Sequence, residues 1–342
     1  MKERFAATLL GCALGDTLGM AVEGWKKEQI EKYVGRVTEP IAPVLVKDEK
    51  GNLVKQDEFG KISYYGRDLE KGDYTDDTIF TLAIAESIAE KKTLDLEDIA
   101  QRQLKEYMAR VKEDGSPPAG FGKTTVMGMR NLQKGILPIN SGVIGGPGNA
   151  PAMKMSPVGL YMYATKKYIQ GLGFAELIGK ITHLDPRSVA SGIVQAYATY
   201  ALLQDTPKDD FVSSINKLCA EYERPLNENF MIHSEGSLAS RLDWIARNKD
   251  AAVEDAFGKL KNSSKVYESY PFTLFMFQKY WDNPIEGLID TVNYGGDCDT
   301  TGAIYGALCG AKNGMIFPES WVEVIKDNEQ IKNTAEKIWR LK

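Results

Sequence analysis

Two short stretches limit how this chain can fold: Thr75-Asp76-Asp77-Thr78 and Gly295-Gly296-Asp297-Cys298-Asp299-Thr300. Each joins carboxylates to a hydroxyl and opens an apolar segment, 79–85 in the first case and 302–308 in the second. Asp and Thr suit a helix's first turn, because their oxygens accept from unpartnered backbone N–H groups and negative charge complements the dipole there. On that reading the stretches are two independent caps. The charge density suggests another. Asp76, Asp77, Asp297 and Asp299 come in tight pairs at the entrance to segments that must be buried, and carboxylates buried together repel and take up protons unless a cation neutralises them. An all-oxygen donor set selects a hard ion, Mg²⁺, Mn²⁺ or Ca²⁺, over zinc or copper. The residues alone leave both readings open.

The rest of the chain reads as helix. Phe5, Leu9, Leu10, Leu14, Leu18 and Val22 recur at three- and four-residue spacing, which predicts a mostly buried helix over 3–22. Asp16 interrupts its apolar character, and if the helix persists Glu23 projects to the same side, about two turns on. Further helices are expected over 75–90, 96–111, from Lys123, and over 160–168, 174–181, 189–203, 211–221, 238–246, 251–260, 272–281, 285–293 and 301–312, with one or two more over 315–342. Residues 35–74 are polar and turn-rich, a small turn or hairpin insertion near 36–72 on the surface, with Lys50-Gly51-Asn52 as its turn. The fold class is therefore all-α. No Pro/Ser-rich linker, low-complexity tract or repeat marks a boundary, so a single domain over 1–342 is the simpler organisation.

Composition excludes several partners. The formal net charge is −5 with Lys and Arg scattered, so there is no nucleic-acid footprint. No apolar run reaches the length of a spanning helix. The start, Lys2-Glu3-Arg4 followed by residues 5–12, superficially resembles a signal peptide, but the apolar run is short, Asp16 interrupts it, and the helical pattern continues through Val22. Cys12, Cys219, Cys298 and Cys309 show no CxxC spacing, which suits reduced thiols in a cytoplasmic protein. Monomer is the default state.

Three interruptions remain. The turn Gly120-Phe121-Gly122 precedes a helix start and can offer backbone N–H groups to a phosphate, although it lacks P-loop spacing. Residues 142–157, dense in Gly and Pro and including Gly148-Asn149, are too long for a simple turn and fit either a functional loop or a long connection between helices. His183 lies between helices and suits a structural or stacking role better than acid–base work, and His233 has no motif around it.

Gly15-Asp16-Thr17-Leu18-Gly19 with Glu23, Gly72-Asp73-Tyr74-Thr75-Asp76-Asp77-Thr78, Gly148-Asn149 with Met153 and Pro157-Val158-Gly159, Thr182-His183, and the run from Asn293 to Thr300 together resemble the ADP-ribosylglycohydrolase family, which includes dinitrogenase reductase-activating glycohydrolases. The resemblance implies an all-α orthogonal multi-helix bundle with two Mg²⁺ ions, or Mn²⁺, in a cleft that binds ADP-ribose. By motif match, Thr75, Asp76, Asp77, Asp297, Asp299 and Thr300 would be metal ligands. Glu23 would act as general base or position the attacking water, with Asp77 and Asp297 also serving catalysis. Gly120, Phe121, Gly122, Gly148 and Asn149 would hold diphosphate and ribose, and His183 would line the nucleotide end.

The implied activity is Mg²⁺-dependent hydrolysis of the bond between ADP-ribose and a protein side chain, most simply arginine, on a modified protein or ADP-ribose derivative. The alternatives are a hydrolase of free O-acyl-ADP-ribose or another nucleotide-sugar or phosphoester substrate, and a non-catalytic ADP-ribose-binding module. Intact Glu23 and ligand positions argue against the last. Where the family loop reads Gly-Asn-Gly-Ala-Ala-Met-Arg, this chain has Gly148-Asn149-Ala150-Pro151-Ala152-Met153-Lys154, losing a backbone donor and a guanidinium fork. Its phosphate-side contacts are expected to differ accordingly.

Overall fold

The computed structural model describes residues 1–118, 120–224 and 236–342; His233 lies outside them. Among the described residues the chain forms α1 (Lys2–Met20), α2 (Lys27–Tyr33), α3 (Asp76–Lys91), α4 (Leu96–Met108), α5 (Lys123–Gln133), α6 (Pro138–Ser141), α7 (Ala150–Met153), α8 (Ser156–Thr165) and α9 (Tyr168–Lys180). It continues with α10 (Pro186–Leu203), α11 (Lys208–Tyr222), α12 (Leu238–Arg247), α13 (Val253–Leu260), α14 (Val266–Lys279), α15 (Pro284–Asn293), α16 (Cys298–Asn313), α17 (Glu319–Val324) and α18 (Asn328–Trp339). The only sheet there is an antiparallel pair, β1 (Gln56–Asp57) and β2 (Gly60–Lys61). The chain is all-α, as its periodicity predicts.

The centre of the molecule is the antiparallel contact of α1 with α16, and glycine makes it. Gly11 and Gly15 recur at the four-residue spacing of one helix face, and they meet Gly306 and Gly302 of α16 so closely that a Cβ on Gly15 would collide with the Gly302 carbonyl. The consequence is positional. Backbone contact fixes the end of α1, at Gly19, against the start of α16, at Cys298. Both helices are buried almost throughout, and α3 packs against them as well.

α1 ends at Met20, so Glu23 lies in the turn that follows and does not share a helix face with Asp16, contrary to the continuous-helix expectation. Two positive-φ glycines, Gly295 and Gly296, then let the segment entering α16 press against that turn, with the Gly24 N–H donating to Gly296 O at 2.8 Å and the Gly296 N–H to Trp25 O at 2.7 Å.

The insertion near 36–72 carries the expected turn, closed by a Lys47–Leu53 bridge, and adds the β1–β2 pair. It is more than a surface loop: Val37 and Ile62 are buried, and the Trp25 indole donates to Ser63 O at 2.7 Å. Elsewhere helices begin earlier than periodicity suggests. α14 starts at Val266 and runs through Pro271, which forgoes one intrahelical bond, whereas α7 and α8 place Pro151 and Pro157 in their first turns, where a missing N–H costs none. The loop over 142–157 therefore contains a helical turn.

Candidate active site

α3 and α16 start at the same place. Thr75 caps α3, its Oγ1 accepting from the Asp77 N–H at 3.4 Å and donating to Asp77 Oδ2 at 3.1 Å. Behind it stands Asp16 of α1. This carboxylate accepts from the Thr75 N–H at 3.1 Å, the Thr78 N–H at 3.0 Å and the Thr78 hydroxyl at 2.6 Å. Asp16 thus anchors the first turn of α3, a role the sequence does not reveal. Its signals in the sequence are an acid inside a buried helix and its place in the Gly15-Asp16-Thr17-Leu18-Gly19 motif, and neither names α3 as its partner.

Glu23 meets the other helix start: its Oε2 accepts from the Cys298 N–H at 3.0 Å and more weakly from the Asp299 N–H at 3.4 Å. The first turn of α16 so holds the acid that an ordinary helix C-terminus would disfavour. The Cys298 thiol lies between the Gly19 carbonyl, 3.3 Å away, and Glu23 Oε2, 3.7 Å away, so it backs the Glu23 carboxylate. All four cysteines are free and buried.

These helix ends form the floor of a cleft of about 730 Å³, lined there by Glu23, Asp76, Asp77, Asp297, Asp299 and Thr300. Of the sequence-derived ligand set only Thr75 stays off the lining, acting through Asp77. Glu23, Asp297 and Asp299 each bring a carboxylate oxygen within 4.8 Å of the others. Glu23 therefore belongs to the densest acidic cluster among the described residues and is itself a candidate ligand.

Burial pushes every one of these acids above its ordinary range. Asp76 rises to about 7, through burial and then the Asp16 charge, and Glu23 to about 8, through burial and then Asp297. Asp77 is raised strongly by burial, Asp16 and Asp76, and Asp299 by burial, Glu23 and Asp77. Asp77 Oδ1 is buried with no partner. An all-oxygen set suits a hard divalent cation, which would relieve both the mutual repulsion and the orphaned carboxylate oxygen.

The walls carry the other sequence-derived residues. Gly120, at φ +90°, brings its turn so close that a Cβ there would lie 3.0 Å from Asp76 Oδ1. Phe121 is anchored edge-on against Phe80 and Tyr107, at 5.3 and 5.5 Å between centroids. Gly122 precedes α5, whose first turn has no acid and no side-chain cap. Across the cleft the Asn149 amide donates to Asp297 Oδ2 at 2.6 Å and to Ser269 Oγ at 3.0 Å. His183 packs against Gly148, its Nδ1 2.9 Å from Thr182 Oγ1, and burial drops it to about 3, so the ring is neutral. That removes it from acid–base work near neutrality.

Lys154 does not reach the cleft. It is fully buried beneath the floor, with Nζ 5.3 Å over the Phe80 ring and without a hydrogen-bond partner, and burial lowers it to about 7. Sequence reasoning also missed Asn262, whose amide ties the acidic loop before α16 at Gly295 O, 2.7 Å away. No short-range pattern marks it.

The model of the family described as ADP-ribosylglycohydrolase matches residues 1–342. The chain belongs to this family. Its members are hydrolytic enzymes that act on ADP-ribose linkages, and the chain shares their all-α fold. An uncharacterized protein of Archaeoglobus fulgidus is 29% identical over 341 residues, spanning 100% of this chain and 97% of the relative. ADP-ribosylhydrolase ARH3 of Danio rerio is 26% identical over 373 residues, with 100% and 91% covered. ADP-ribosyl-[dinitrogen reductase] glycohydrolase of Rhodospirillum rubrum is 26% identical over 323 residues, with 94% and 90% covered. A solved chain titled ADP-ribosylglycohydrolase-related protein complex superposes with a TM-score of 0.66 at 23% identity over 99% of this glycohydrolase and 98% of that chain, a likeness of fold. No helix among the described residues is long and apolar enough to cross a membrane.

Proposed function

We propose that this glycohydrolase cleaves the glycosidic bond between ADP-ribose and a protein side chain, most simply arginine, and that two Mg²⁺ ions, replaceable by Mn²⁺, are its cofactors. The observation that carries the reading is the convergence of Glu23, Asp76, Asp77, Asp297 and Asp299 at the junction of two helix starts, with Asp77 Oδ1 unpartnered. Asp76, Asp77, Asp297, Asp299 and Thr300 would hold the ions, with Thr75 orienting Asp77. When bound, the ions supply positive charge that fixes the ribose hydroxyls and acidifies a neighbouring water.

The chain's own groups do the rest. The uncapped start of α5 beside Gly120, Phe121 and Gly122 offers N–H groups to the diphosphate, while Asn149 orients Asp297. His183, neutral and pressed on Gly148, shapes the nucleotide end. Glu23 takes a proton from the attacking water as its oxygen bonds to C1″. The C1″–N electrons leave with the guanidine nitrogen, which then takes up a proton. Burial and then the Asp297 charge raise Glu23 above the ordinary carboxylate range, which makes its ionised form a stronger proton acceptor than an exposed carboxylate. The leaving group suits the site, because a linked guanidinium is cationic and the floor is acidic.

Glu23→Gln tests the assignment: kcat should fall by about 10² or more while free ADP-ribose still binds in Mg²⁺. Undiminished hydrolysis would remove Glu23 from the chemistry.

A further inference from the structure

We propose that Tyr65 is a specificity-determining residue whose ring receives a planar cationic leaving group, an arginine-type guanidinium, as it departs past Glu23. The inference rests on the hydrolytic reading above. Residues on either side of Tyr65 are tied down: Ile62 is buried, Ser63 O accepts the Trp25 indole at 2.7 Å, and the Tyr64 ring packs edge-on against Trp25 while its hydroxyl donates to Val54 O at 2.7 Å. Gly66 lies against Met20, where a Cβ would stand 3.0 Å from Met20 Cγ. Between these anchors the Tyr65 ring is 59% exposed, with no hydrogen-bond or ring partner among the described residues.

Exposure alone carries little, since single exposed aromatics are common. Its place carries more. Tyr65 lines the same cleft as Glu23 and Gly24. The turn that holds Glu23 is pressed against the segment carrying the ring: a Cβ on Gly24, which has φ +77°, would lie 2.8 Å from Ser63 Cβ and 3.6 Å from Tyr65 Cε2. A leaving group expelled beside Glu23 thus meets an aromatic face held on a rigid strap.

Chemistry selects the group. A guanidinium is flat, charged and weakly hydrated, so it stacks on an aromatic ring and is drawn to nearby carboxylates. A serine-type alcohol has neither plane nor charge and gains almost nothing from the ring. The anchors at Ile62, Ser63, Tyr64 and Gly66 do not run through the Tyr65 ring, so removing it leaves them in place.

The test compares Tyr65→Ala and Tyr65→Phe with wild type on arginine-linked and serine-linked ADP-ribosyl peptides in Mg²⁺, and measures free ADP-ribose affinity by calorimetry. Tyr65→Ala should lower kcat/KM on the arginine linkage roughly tenfold. Tyr65→Phe should stay near wild type, and ADP-ribose affinity and serine-linked turnover should hardly move. Equal losses on both linkages, a parallel loss of ADP-ribose affinity, no effect at all, or a wild-type preference for serine would each overturn the role of Tyr65 while leaving hydrolysis standing. Wild-type protein inert on both peptides would instead remove the hydrolytic reading, and this inference with it.

Discussion

At the scale of single residues, the site depends on groups that touch no substrate. Asp16 holds the start of α3 through three donors, and an amide in its place would turn an NH₂ toward an N–H or hydroxyl. Asp16→Asn should therefore destabilise the protein by about 1–3 kcal/mol and raise the Mg²⁺ concentration needed for half-maximal thermal stabilisation. A melting series against Mg²⁺ reads both; unchanged midpoints would show that α3 starts correctly without the carboxylate. The four aspartates were legible in the sequence because their crowding is local. Asp16 was not, because its partners lie 59 and 62 residues away. Tyr65 is hidden for the same reason: nothing near it in sequence says that residue 24 lies beside its ring.

At the scale of elements, the α1–α16 contact sets the distance between Glu23 and the aspartates of α16. Gly15→Ala puts a methyl into the Gly302 carbonyl, a strain neither backbone can relieve without separating the helices. A loss of at least about 1–3 kcal/mol is expected, visible as a lower Tm, together with weaker divalent-ion binding because the two acidic helix starts move apart. Retained Tm and retained ion affinity would show that the helices tolerate separation. Glycines in 3–22 and small residues in 301–312 announced close packing, yet neither segment named the other as partner. Pro271 hid the start of α14 because the helix carries a proline in its interior, where one usually marks a break, and the Gly/Pro density of 142–157 hid α7, because a proline's meaning as a breaker reverses at a helix start.

At the scale of the whole molecule, charge couples the site to stability. In metal-free protein Asp76 and Glu23 titrate near 7 and 8, above the ordinary carboxylate values near 4 that they have when unfolded. The folded state then binds more protons than the unfolded state across that window, so metal-free stability falls as pH rises from about 4 to about 8. Mg²⁺ should reverse the trend, its stabilising effect growing with pH as ligand protons are released. Melting curves at several pH values with EDTA or Mg²⁺ check this, and a metal effect independent of pH would speak against cation binding at these acids.

The most direct measurement is release of ADP-ribose from an arginine-linked substrate by wild type and by Asp297→Asn, each with Mg²⁺ and with EDTA. Release by wild type that requires Mg²⁺ and disappears in Asp297→Asn is the expected result. Release that persists in EDTA, or that survives in the variant, would contradict a divalent-metal centre at the junction of α3 and α16.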